Sequence, residues 1–123
     1  MIRDNVQRAM PVGREPEAST LIGSTLGMSE DEKPEELKLR GGCWFRLGTC
    51  VVHIGVDPEF RPQRKAHPAF LVADLPRLAQ RLESSGFAVT WDRSFPGVER
   101  FFTEDPFGNR IEFVKNGHGM SQR

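Results

Sequence analysis

Tyrosine is missing from all 123 residues, and cysteine occurs only twice. The first absence removes a common general acid. Cys43 and Cys50 stand outside any CxxC spacing, so a redox motif has no support. Both are read as reduced thiols, with a cross-strand bridge over the turn between them as the alternative. Net charge is absent too, since 17 Lys and Arg balance 17 Asp and Glu. Without a basic surplus, a dedicated nucleic-acid binder is not expected. No apolar run approaches the ~20 residues of a membrane span. Met1-Ile2-Arg3-Asp4-Asn5 carries no apolar signal core, so a cytoplasmic protein without a membrane partner is the expectation.

What is present suits one domain over residues 1–123. Hydrophobic residues make up 37% and charged residues 28%, and a chain of this length buries a core without needing disulfides or metal. Residues 5–10 alternate polar and apolar side chains as a half-buried strand does. Arg14 to Leu26 reads as a helix, with Pro16 and two glutamates in its first turn and Gly27 as its stop. Residues 29–40 are the most polar stretch and read as a solvated excursion, with a short helical turn from Pro34 and room for a hidden strand. Gly41-Gly42 opens a hairpin of Cys43–Arg46 and Cys50–Val56.

After a basic, proline-marked connector (57–65) the order of elements begins again. His67–Val72 is a strand, with Pro68 where a missing N–H is tolerated. Asp74 is an N-cap, and Leu75, Leu78, Ala79 and Leu82 repeat at helical spacing up to Gly86. Phe87–Trp91, Arg100–Thr103 and Arg110–Val114 read as strands, the last after an Asp105–Asn109 turn whose Pro and Gly supply the backbone angles and whose Asn109 tolerates the left-handed region. Residues 116–123 are read as a mobile tail. The expected class is therefore α+β, with one β-α-β-rich module written twice, at about 1–57 and 66–115.

The two halves also place polar side chains alike. Asn5 and His53 mark the first and last strands of one half, His67 and Glu112 those of the other, at nearly equal separations. Val52 and Ile54 flank His53, and Ile111 and Phe113 flank Glu112, so each polar side chain points away from the layer that its neighbours bury. Two imidazoles and a carboxylate suit a divalent first-row metal whose open positions take substrate oxygens. Read singly, a strand histidine or glutamate is more often a structural or solvent-facing residue. Trp44, Arg46, Phe70, Trp91 and Phe101, on expected strands, are candidate pocket residues, with core packing as the alternative for the aromatics.

Four strings, Gly41-Gly42-Cys43-Trp44-Phe45, Val52-His53-Ile54-Gly55-Val56, Arg64-Lys65-Ala66-His67-Pro68-Ala69-Phe70 and Asp105-Pro106-Phe107-Gly108-Asn109-Arg110-Ile111-Glu112-Phe113, resemble the vicinal oxygen chelate superfamily. More narrowly they resemble its glyoxalase, bleomycin-resistance and extradiol dioxygenase group. The resemblance implies two βαβββ modules forming an open half-barrel, a homodimer and a small-molecule ligand. It also implies a divalent metal (Zn, Ni, Mn or Fe) on His53, His67, Glu112 and Asn5. Asn5 departs from the histidine or glutamine usual there, with Gln7 as a substitute ligand on the same strand face. The metal would steady an enolate in a lactoylglutathione lyase-like reaction or hold dioxygen in a dioxygenase one. For a lyase or isomerase Glu112, detached from the metal, is the catalytic base. The alternative is a metal-free small-molecule or drug binder that uses the same apolar cavity.

Overall fold

The computed structural model describes residues 4–94 and 96–115, the first two of these by backbone alone. Internal contacts divide the chain into two units, Met1–Arg61 and Pro62–Arg123.

In the first unit, β1 (Asp4–Met10) leads into α1 (Glu15–Ala18) and a π-helical stretch, Ser19–Thr25. The expected helix over 14–26 is thus only partly α: its later turns widen, as in the bond from the Leu26 N–H to the Leu21 carbonyl at 2.9 Å. Gly23 and two threonines there give little α-propensity to resist the widening. Ala18, Leu21, Ile22 and Thr25 form its buried side. The polar stretch contains both a strand and a helical turn, β2 (Ser29–Asp31) and α2 (Glu35–Lys38). β3 (Cys43–Leu47) and β4 (Cys50–Val56) complete a sheet of order β1-β4-β3-β2, with β1 and β4 parallel. Phe45, Val52 and Ile54 face the helical side, and Trp44, Arg46 and His53 the other. Cys43 lies opposite Ile54 and Cys50 opposite Leu47, at the two ends of the hairpin, and the two are not joined in a disulfide.

The second unit repeats this plan. It comprises β5 (Ala69–Val72), α3 (Leu75–Ser84), β6 (Thr90–Asp92), β7 (Arg100–Glu104) and β8 (Arg110–Lys115), in a sheet of order β5-β8-β7-β6. Asp74 caps α3 by accepting from the Arg77 N–H at 3.2 Å. At the other end, Gly86 (φ +91°) lets the Phe87 N–H reach the Leu82 carbonyl at 2.9 Å. Leu75, Ala79 and Leu82 are buried, as are Phe101, Ile111 and Phe113 on the sheet.

Three expectations shift here. β6 starts at Thr90 rather than Phe87. His67 and Pro68 precede β5, although the Pro68 carbonyl still accepts from the Glu112 N–H at 3.0 Å. Asn109 has no left-handed backbone, because Gly108 (φ +89°) takes the turn. The Asn109 side chain is instead fully buried, accepting from the Gln63 N–H and donating to Asp105 Oδ2, each at 2.9 Å. Residues 116–123 lie outside the described residues. Among the described residues no helix is long and apolar enough to cross a membrane.

Candidate functional site

Register brings three of the named residues together on one face of the first unit. Gln7 pairs with His53 and Trp44 pairs with His53, so all three project from the same side of the sheet. The Trp44 and His53 rings stack, centroids 4.2 Å apart and planes within 9°. Arg46, two positions along, is exposed and paired with Asp31 at 3.0 Å. Burial, with the nearby Arg46 charge and against the pull of Asp31, holds the His53 imidazole below its usual range. Asn5 lies on β1, two positions before the Gln7 that pairs with His53.

The second unit carries the denser cluster. Glu112 lies on β8 opposite Phe102, and its residue is only 7% exposed despite its charge. Glu112 Oε1 lies 2.8 Å from His67 Nε2, and His67 Nδ1 lies 2.7 Å from the Lys65 carbonyl oxygen. A carbonyl only accepts, so Nδ1 donates to it, and this turns Nε2 toward Oε1. Arg100 donates through Nη1 to Glu112 Oε2 at 3.3 Å. The same guanidinium holds Asp92 Oδ2 through Nε and Nη2, at 3.0 and 2.7 Å. Burial opposes the Arg100 charge, but Asp92 and Glu112 outweigh it and raise its already high pKa. Asp92 accepts from the Ser94 hydroxyl and N–H as well, and these bonds with that to Arg100 pull its carboxyl down to about 2. Phe102 is ringed by cations: Arg110 lies 3.9 Å and Arg100 5.4 Å from its centroid, and the His67 ring meets its edge at 5.4 Å.

Phe70, Trp91 and Phe101 do not join this cluster. Phe101 pairs with Phe113 and Trp91 pairs with Phe101, so strand alternation turns all of these rings to the face opposite Glu112. Phe70 stacks on Phe113 there, and Phe101 is fully buried. Phe101 belongs to the core, and Phe70 and Trp91 are half-buried at its edge. The aromatic side chain beside Glu112 is Phe102, which the sequence reading misses by one position. Arg100 and Asp92 are missed as well. Only the β7–β8 register, which pairs Phe102 with Glu112, would have pointed to them.

The predicted ligands divide between the units, His53 in the first and His67 with Glu112 in the second. Among the described residues, no group of three or more His, Cys, Asp or Glu side chains is arranged to hold a metal ion. The cluster of the second unit presents two ligand-type groups, His67 and Glu112, in contact at 2.8 Å, with the remaining carboxylate oxygen on a guanidinium.

Two α+β units, each with a four-stranded sheet of the same strand order and its first and last strands parallel, define a duplicated glyoxalase-type fold. A glyoxalase-family protein from Bacillus anthracis is 51% identical, with a TM-score of 0.88 over 94% of this chain and 95% of that one. This chain belongs to the glyoxalase family, within the vicinal oxygen chelate superfamily. More distant structures share the fold. A lactoylglutathione lyase from Agrobacterium tumefaciens is 17% identical, with a TM-score of 0.68 over 94% of this chain and 93% of that one. An antibiotic binding protein from a Streptomyces species is 18% identical, with a TM-score of 0.67 over 94% and 95%. No family model and no curated protein matches the chain.

Proposed function

We propose that this chain binds a small oxygen-bearing molecule on the Glu112 face of the second unit, through its own side chains rather than through a resident metal. The observation that supports this reading is the occupancy of Glu112: one oxygen lies 2.8 Å from His67 Nε2, the other 3.3 Å from a guanidinium that Asp92 holds. Phe102 supplies the apolar floor beside them, and Arg100 and Arg110 border it with guanidinium groups for a ligand's oxygens. The fold is one that also serves antibiotic binding in the Streptomyces protein.

The metal-dependent reading is favoured by a different observation. The Lys65 carbonyl fixes the His67 tautomer that leaves Nε2 toward Glu112 Oε1, as outer-shell carbonyls do for metal-ligating histidines. In that reading His53, His67 and Glu112 hold a divalent ion, with Asn5 or water in a fourth place. The ion would supply Lewis-acid stabilisation of an enolate, or a site for dioxygen.

Two measurements separate the readings. Metal analysis of protein purified without an affinity tag is expected to give far less than one equivalent of Zn, Ni, Mn or Fe. Near one equivalent, lost in His53→Ala and Glu112→Ala, would replace our reading with the metal-dependent one. A fragment titration followed by amide NMR, with oxalate, lactate and catechol as probes, should shift β7 and β8 and leave α3 unmoved. Those shifts should vanish in Phe102→Leu and Glu112→Gln.

A further inference from the structure

The charged cluster of the second unit sets two carboxylates, Asp92 and Glu112, against the Arg100 guanidinium, with His67 Nε2 against the second Glu112 oxygen. A divalent ion on the His67–Glu112 pair would add to the Arg100 charge and leave excess positive charge on a largely buried carboxylate, where unbalanced charge is costly. Removing the Arg100 charge would make the ion-loaded cluster neutral instead. Arg100 cannot easily swing aside, because both Nε and Nη2 are committed to Asp92 Oδ2, and Ser94 fixes the other Asp92 oxygen. Its side chain is 22% exposed, so solvent screens it only in part.

We infer that Arg100, clamped by Asp92, is the ion-specificity determinant of this cluster: its fixed charge keeps divalent cations off the His67–Glu112 pair and reserves that pair for hydrogen-bonding ligands. This deepens the metal-free reading above and rests on it, and it is tested by a ratio of affinities.

The test is calorimetric titration of Co²⁺ and Mn²⁺ into the wild-type chain and four variants. Arg100→Gln, and Arg100→Met, which keeps the aliphatic stem if the first variant folds poorly, should bind about tenfold more tightly than the wild type or better. Arg100→Lys keeps the charge without the fork and should stay within about threefold of the wild type. The double variant Arg100→Gln with Glu112→Gln should lose the gain. Neutral variants no tighter than the wild type, or a gain that survives loss of the Glu112 carboxylate, would overturn the inference. Tight binding by the wild type would refute the metal-free reading and the exclusion by Arg100 together, whereas weak binding by the wild type with neutral variants no tighter would overturn the role of Arg100 alone.

Discussion

Phe101 and Phe102 are chain neighbours with opposite surroundings, and the difference predicts how each responds to truncation. Phe101 is fully buried, with Trp91 5.1 Å and Phe113 5.3 Å from its ring centroid. Phe101→Ala should cost about 3–5 kcal/mol of stability by urea unfolding, because the cavity cannot collapse among packed aromatics. Phe102 is half-buried and surrounded by cationic side chains, so Phe102→Leu should cost far less stability while losing ligand-induced shifts on β7 and β8. Asp92 gives a second prediction at this scale. Its carboxyl is lowered from 3.8 to about 2 by Ser94 and then by Arg100, so it binds protons more weakly folded than unfolded. The stability it contributes is therefore complete above about pH 4 and is lost as pH falls toward 2. Urea midpoints of Asp92→Asn should lie below the wild type at neutral pH, and the gap should narrow steadily on acidification. A gap independent of pH would mean that the ion pair is not the source of the contribution.

At the scale of elements, the approach to β3 depends on a close backbone contact. Gly42 has φ +84°, its N–H donates to Glu15 Oε2 at 2.8 Å, and an added Cβ would lie 2.2 Å from the Ile54 carbonyl oxygen. Gly42→Ala should destabilise by at least about 1–2 kcal/mol from the left-handed backbone alone. It should also speed hydrogen exchange at the β3–β4 end where Cys43 faces Ile54. An Ala variant as stable as the wild type would contradict this geometry. Elements also explain how far the site was legible. Val52-His53-Ile54 and Ile111-Glu112-Phe113 announce their polar face by alternation within one strand, and Asp74 with Gly86 brackets α3 by local capping. Pairing between strands has no such local signature. The phase that puts Phe102 rather than Phe101 beside Glu112, and that brings Arg100 from β7 and Asp92 from β6 to the cluster, is set by register. The π-helical turns escape for a related reason, since their hydrogen-bond spacing is decided by packing of Leu21 and Ile22 rather than by a residue code.

For the whole molecule, the duplicated plan supplies a test that neither unit provides alone. A ligand bound only by the native state adds RT ln(1 + [L]/Kd), about 2.7 kcal/mol at a hundredfold excess over Kd. For a chain of this size that is a rise in Tm of about 10 °C. With the Arg100 charge held against Glu112, millimolar Mn²⁺, Ni²⁺ or Zn²⁺ should leave the Tm of the wild type where EDTA leaves it. Arg100→Gln should acquire a metal-dependent rise that Glu112→Gln abolishes. His53 sits in Met1–Arg61 and Glu112 in Pro62–Arg123, so single substitutions there report on the halves separately. If the wild type itself showed a rise near 10 °C, lost equally in His53→Ala and in Glu112→Ala, both halves would be contributing ligands to one ion. The metal-free reading would then give way to the chelating one.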